Sequence, residues 1–311
     1  MNRRRMNRIG IVALMLIPLC LSTACGMEKG SVVGSPTGPA ADAVVPMEPP
    51  KKVEVSSEEL AAYSPEMKQI YDRGVLRVAI YSQDRVPFFY VNDGGVLTGS
   101  DVELATDMAA QFGVGVEFIR TAQSFDQVVD QVASGQADIA VSKLSATLSR
   151  AKKTLFSQPY LTLHQGLLVN RLKIAQLAQS DKPLLDTIKT APIAIGVVSG
   201  TSYVRFASEL FPAAELKPFS TVEEMIDAVL SGDITAIYYD ELQLKDIVES
   251  NPTHSIELQL MIMNDQIDQI AVAVPPDHVQ LLNWINLYLQ ANPARISDML
   301  SKYGIQAERS D

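Results

Sequence analysis

The sequence predicts an α/β fold with mainly parallel sheets, arranged as two lobes. Short apolar, β-branched runs such as Ala137 to Val141 and Ile193 to Val198 are bounded by glycine and polar residues, as buried strands are. Between them lies helical spacing, for example Phe125, Val128, Val129 and Val132, the i, i+3, i+4, i+7 pattern of a single buried face. A chain of 311 residues with 47% hydrophobic content is long enough for two lobes of about 100 residues each.

The elements follow in order. Arg3, Arg4, Arg5 and Arg8 precede an apolar run from Ile9 to Leu21 and then Ser22-Thr23-Ala24-Cys25, which reads as a secretory signal over residues 1–24. Cysteine at the cut resembles a bacterial lipobox, so Cys25 is expected to be the lipidated first residue of the mature protein. Cys20, the other cysteine, sits in the apolar core of the leader, so no disulfide can staple the body. Residues 25–58 are expected to form a flexible tether, since Gly26 to Pro50 is rich in Gly, Ser, Pro and Ala without hydrophobic periodicity. Loss of the leader takes the net charge from −10 to −14, and an acidic chain of that kind excludes a nucleic-acid partner. No later apolar run is long and uncharged enough to span a bilayer.

In the body, Leu76 to Tyr81 reads as the first strand, Glu103 to Phe112 as a helix, Val114 to Ile119 as a strand and Phe125 to Ala133 as a helix. After the strand Ala137 to Val141, the segment Leu161 to Val169 crosses to the second lobe. There Ile193 to Val198, Tyr203 to Leu210, Val222 to Leu230, Thr235 to Tyr238 and Leu242 to Val248 alternate again. Ile270 to Val274 recrosses, and His278 to Ala291 and Ala294 to Lys302 close the chain as helices. The first lobe is thus discontinuous, 59–168 with 270–311, and the second spans 169–269.

The loop after Ala137 to Val141 carries the chemistry, because open α/β sheets place ligands at the carboxyl ends of strands. Thr147 is expected to cap a helix, which puts Arg150 in the first turn, where a cation faces the positive end of the helix dipole. That placement asks for an anion, which backbone amides, the Ser145 hydroxyl and the fork of Arg150 could hold together. The plainer reading is a solvated start to the basic run Arg150, Lys152, Lys153. In the second lobe, Ser199-Gly200-Thr201-Ser202 offers amides and hydroxyls at a helix start, a second anion cradle. Asp240 ends one strand and begins a helix, as an N-cap does.

The pattern D-x-A-x-S-x-x-S-x-T-x-x-R-A-K-K-x-x-F-S-x-P-Y, from Asp138 to Tyr160, closely resembles family 3 extracellular solute-binding proteins, the polar amino acid receptors of ABC importers. Gly99-Ser100-Asp101-Val102-Glu103-Leu104 is similar to a second signature of that family, with serine where an aromatic is usual. The resemblance runs from about Arg73 to Ile305. It implies a type II periplasmic-binding-protein fold, a mainly parallel sheet in each lobe, two crossover segments and closure about an amino acid. It also implies that Thr201 and Ser202 close over the ligand α-carboxylate and that Asp240 takes the α-ammonium, so that Arg150 and Asp240 read a zwitterion. Phe125 matches a cleft aromatic, although a Phe on an apolar helix face also suits the core. Arg85 replaces an aromatic ahead of Pro87-Phe88, either to pair with an acidic ligand side chain, with Glu117 or Asp101 as internal partners, or to lie in solvent. Lys143 stands where many relatives have glycine, so its side chain either narrows the cleft or points away.

The expected partners are an amino acid, an ABC permease and, through Cys25, a membrane, for an exported, monomeric protein. No cofactor is called for. His164, His254 and His278 are scattered without metal-ligand spacing, and no phosphate loop occurs. Two alternatives share the scaffold: a dehydratase acting on cyclohexadienyl compounds, with Asp240 or Glu241 as general acid, and a ligand-loaded receptor for a membrane sensor.

Overall fold

A computed structural model describes residues 54–177 and 182–306. The leader, Cys20, Cys25 and the tether as far as residue 53 lie outside the described residues. Helix α1 (Ser57–Ala61) starts at Ser56, whose hydroxyl accepts the Glu59 amide. Helix α2 (Pro65–Arg73) has proline at its first position and ends at Gly74, whose φ of 78° is the left-handed stop that glycine supplies.

Strand β1 (Val75–Tyr81) leads to a small hairpin, β2 (Tyr90–Val91) and β3 (Leu97–Thr98), and then to α3 (Ser100–Phe112). Gly99, at φ 126°, lets this hairpin fold back: a Cβ there would lie 2.7 Å from the Phe89 amide nitrogen and closer still to the Phe88 carbonyl. Next come β4 (Gly115–Ala122), α4 (Phe125–Ala133) and β5 (Ile139–Ala140), with β4 and β5 flanking β1 in parallel. A single 3-10 turn, Arg150–Lys152, precedes β6 (Leu155–Asn170).

Helices α5 (Arg171–Ala175) and α6 (Leu184–Thr190) connect to β7 (Ala194–Val198), α7 (Tyr203–Leu210), β8 (Glu215–Phe219), α8 (Val222–Ser231), β9 (Ala236–Asp240), α9 (Glu241–Ser250) and α10 (His254–Glu257). Strand β10 (Leu258–Val274) returns, and α11 (Val279–Ala291) and α12 (Pro293–Lys302) finish the described chain.

One eight-stranded sheet results, in the order β4-β1-β5-β10-β6-β9-β7-β8. It serves two cores. One gathers side chains from Ile70 to Leu163 and from Ile270 to Ile305; the other gathers Leu167 to Met263. Strands β6 and β10, antiparallel through the middle, belong to both. The crossing expected at Leu161 to Val169 lies within the longer β6, whereas Ile270 to Val274 is the C-terminal end of β10, whose change of core falls earlier, between Met263 and Ile270. Their ladder slips between Met263 and Ile267, so Asn264, Asp265 and Gln266 bulge outwards where the chain changes cores. A bulge of this kind turns the following side chains to new directions.

Candidate functional site

The site forms where the two cores face each other at the carboxyl ends of β5, β7 and β9. Its floor is the loop 142–149, fixed from below. Asp101, fully buried, accepts the Lys143 amide on one oxygen and the Tyr160 hydroxyl on the other, the latter at 2.9 Å. Burial pushes the Asp101 carboxyl up to about 7, although both hydrogen bonds and the Lys143 charge oppose it. Tyr81 N–H donates to the Ser142 hydroxyl at 3.0 Å, and Ala146 N–H to the Gln269 carbonyl at 2.8 Å. The amides of Lys143 and Ala146 are thus spent inside the protein, and the expected cradle of loop amides lacks those two.

Arg150 follows, and its setting differs from the expectation. It begins a three-residue 3-10 turn, not an α-helix, so no macrodipole faces it. Its own N–H donates to the Thr147 hydroxyl at 3.3 Å. Arg150 is 6% exposed; Nε donates to Asp126 at 3.1 Å and Nη1 to the Ser145 carbonyl at 3.1 Å. Asp126 is a weak partner, since its side chain is 67% exposed and water competes for it. Two of five guanidinium N–H groups are engaged among the described residues, which leaves the fork able to grip a carboxylate.

Phe125, Lys143, Ser145, Arg150, Thr201 and Ser202 line one small cavity with Tyr203, Tyr239 and Asp268. Its volume of about 10 Å³ is room for roughly one water. The cleft is closed: Ser145 and Ser202 hydroxyls meet at 2.7 Å across it, and a Cβ on Gly200 would lie 3.0 Å from the Ser124 side chain. Ser145 also donates to Asp268 Oδ2 at 2.8 Å, so with Asp268 ionised Ser202 is the donor of the hydroxyl pair. Thr201 turns inward to its own strand and donates to the Val198 carbonyl at 2.7 Å. Phe125 serves both roles weighed for it: it belongs to the first core, packs 4.9 Å from the Tyr81 ring and lines the cavity.

Lys143 enters the cleft. Its ammonium is hydrogen-bonded to Asp240 and lies 5.2 Å from the Phe88 ring centre and 4.9 Å from that of Tyr239. Burial alone would lower its pKa, but the adjacent negative charges, Asp240 foremost, outweigh this and raise it. Asp240, with no exposed surface, also caps α9 by accepting the Gln243 amide at 3.0 Å. Glu241 accepts the His164 amide at 3.1 Å and pairs with Lys245 at 2.7 Å. Neither acid named as a general-acid candidate is therefore free in the cleft.

Arg85 lies outside this cavity and pairs with neither Asp101 nor Glu117. Its guanidinium carbon lies 4.8 Å from the Tyr81 ring centre, Nη1 donates to the Asp84 carbonyl at 2.7 Å, and it lines a separate opening with Thr221, Gln243 and Asp246. Stacking supplies the partner that the expectation sought in a carboxylate.

Asp268 is the site residue that sequence reasoning passed over. It is 2% exposed, lines the cavity, and accepts both the Ser145 hydroxyl and the Tyr203 hydroxyl, the latter at 3.1 Å. Burial drives its carboxyl up to about 6, against the two hydroxyls and the Lys143 charge; Asp240 adds to the rise. A carboxylate two positions ahead of the apolar run Ile270 to Val274 was the available sign. Among the described residues no group of His, Cys, Asp and Glu could hold a metal ion, and no helix is long and apolar enough to cross a membrane.

Two cores on a shared sheet, two crossing strands and a closed polar cleft define a two-lobed α/β binding protein. The chain belongs to the bacterial extracellular solute-binding proteins, family 3, whose model matches residues 76–304. It is similar to the arginine-binding periplasmic protein of Mannheimia haemolytica, 27% identical over 154 residues, half of this chain and 58% of that one. Cyclohexadienyl dehydratase of Pseudomonas aeruginosa is 34% identical over 107 residues, 34% of this chain and 39% of the enzyme. Both matches span less than two thirds of those relatives. Among solved structures, the amino acid ABC transporter substrate-binding protein AbpA of Streptococcus pneumoniae, bound to L-arginine, has a TM-score of 0.62 at 29% identity, covering 78% of this chain and all of AbpA.

Proposed function

We propose that this protein is an exported, lipid-anchored receptor that closes two lobes, 59–168 with 270–311 and 169–269, on a small carboxylate solute of amino-acid size. It then presents the closed form to an ABC importer. The observation that carries the reading is the buried, half-satisfied fork of Arg150 beside the Ser145 and Ser202 hydroxyls, in a cleft that excludes water. Charge-assisted contacts in such a place contribute about 1.5–3 kcal/mol each, and three or four reach the roughly 8 kcal/mol of micromolar binding. Relatives that bind arginine support a ligand of amino-acid size with a carboxylate. The carboxylate half of a zwitterion suits Arg150; the ammonium half meets an Asp240 already paired with Lys143.

A thermal-shift screen of amino acids and related carboxylates, followed by titration calorimetry on Arg150→Ala, tests this. Removal of the fork is expected to weaken binding at least about 30-fold, near 2 kcal/mol, with folding retained. Unchanged affinity refutes the role of Arg150.

A catalytic reading is favoured by one feature, Asp268, a cleft carboxyl that titrates near 6 and could donate a proton. The partial likeness to a dehydratase gives it a precedent. Mass spectrometry of the bound solute decides: an unchanged molecule marks a receptor, a dehydrated one an enzyme.

A further inference from the structure

Lys143 fills a built cation site. The Phe88 and Tyr239 rings lie 5.2 and 4.9 Å from its ammonium, and the buried Asp240 accepts its hydrogen bond. Aromatic faces around a buried carboxylate are the chemistry that receives an ammonium ion. Lys143 reaches it from a φ of 46°, the left-handed region that side chains other than glycine seldom adopt. That unfavourable backbone persists because the surroundings hold it: Asp101 takes the Lys143 amide, and the next carbonyl, of Leu144, accepts the Ala271 amide at 3.1 Å. The pair also ties the two halves of the molecule together. Lys143 lies between Val141 and Leu144 of the first core, and Asp240 directly follows Tyr239 of the second.

We propose that Lys143 is an internal stand-in for a ligand ammonium, so the solute taken here is a small carboxylate that lacks one: a 2-oxo, 2-hydroxy or unsubstituted acid. This rests on the reading of Arg150 as the carboxylate site. Both oxygens of Asp240 are in use, one by the Gln243 amide and one by Lys143. An arriving α-ammonium would set two cations against one buried carboxylate, and one would have to leave or lose its proton. A neutral oxo or hydroxyl group at the same place meets no such repulsion, and it can accept a hydrogen bond from the lysine.

The proposal is tested in two ways. In thermal unfolding, methylammonium chloride is compared with equimolar sodium chloride on wild type, Lys143→Gly and the double variant Lys143→Gly/Asp240→Asn. Glycine suits the left-handed φ and empties the cage, so methylammonium is expected to raise the Tm of the single variant alone. Equal responses in all three overturn the cage. The second measurement needs no variant: calorimetry on wild type with alanine, glutamate and valine, each against its 2-oxo and 2-hydroxy analogue. The oxo or hydroxy acid is expected to bind at least about tenfold tighter than its amino acid. An amino acid held as tightly as its analogue, the result expected if Asp268 took the ammonium, overturns the assignment. Silence toward every acid, with methylammonium rescue intact, refutes the carboxylate-receptor reading and leaves the cage established.

Discussion

If Arg150 holds the ligand carboxylate as proposed, Asp268 should make its capture depend on pH. Its carboxyl faces the Ser145 and Tyr203 hydroxyls within hydrogen-bond distance, with the Lys143 and Asp240 charges near enough to act on it. Ionised, it repels a ligand carboxylate held by Arg150; protonated, it does not, while its carbonyl oxygen still accepts the Ser145 and Tyr203 hydroxyls. With a pKa of about 6 in the free protein, only about 3% of the molecules carry the proton at pH 7.5 and about 90% at pH 5. If only the protonated form binds well, affinity rises about 30-fold from pH 7.5 to pH 5, while a ligand carboxyl with an ordinary pKa stays mostly ionised. Calorimetry at the two pH values, in buffers of different ionisation enthalpy, reads both the affinity and the proton taken up. Asp268→Asn, which keeps an oxygen for the two hydroxyls, should bind at both pH values with the affinity of wild type at pH 5. Equal wild-type affinity at both pH values, or a slope that persists in the variant, refutes the reasoning. Stability should change in the same experiment, with its sign fixed by linkage. A carboxyl raised from 3.8 to about 6 in the folded state binds protons that the unfolded chain has released, so its cost to the fold grows as pH rises through that window. At neutral pH the cost is about 3 kcal/mol, so Asp268→Asn should raise the Tm at pH 7.5 and leave it nearly unchanged at pH 4.

Gly99→Ala should destabilise the protein by about 3 kcal/mol or more in thermal or denaturant unfolding, because a methyl there meets the backbone of Phe88 and Phe89 at a φ only glycine tolerates; a loss below about 1 kcal/mol would mean the hairpin shifts freely. Cys25→Ala should abolish incorporation of a palmitate analogue and release the protein from membranes, and unchanged labelling would locate the anchor elsewhere.

The parts of the fold that show in the sequence are those with one clean period. Helix α4 begins and ends where the spacing of Phe125, Val128, Val129 and Val132 places it, and Ser124 caps it by accepting the Gln127 amide at 3.2 Å. Helix α7 is as plain. Helix α2 was harder to see because it buries only Ile70 and Tyr71, too few apolar positions to set a period, despite the proline and glycine that mark its ends. Strand β8 contains Pro218 and lies at the sheet edge, half exposed, where alternation is weak. The lengths of β6 and β10 were hidden for another reason. Each passes from one core to the other through polar residues, His164 and Gln165 on β6 and Asn264 to Gln266 on β10, so the apolar signal stops while the ladder continues.

Arg150, Ser145 and Ser202, named from the sequence, do line the cavity, although Arg150 does so without the helix dipole expected of it and Ser202 was named through the resemblance; what distant residues decide stayed illegible. Asp268 is turned into the cleft after a slip in register that no pattern in Asn264 to Gln269 announces. Lys143 is the opposite case. By every local rule a lysine is unwelcome at a left-handed, nine-tenths buried position: the backbone favours glycine, and burial disfavours the charge. Its amide is fixed from the first core, and Asp240 and Tyr239 reach its ammonium from the second, 97 residues away for the acid. A buried pair of this kind is weak evidence for added stability, since hydrophobic residues of similar volume would often serve as well. What it does supply is a fixed positive charge in a closing cleft, at the point where both halves meet. On the reading proposed above, the residue that breaks the most local rules is the one to which the ligand's chemistry must conform.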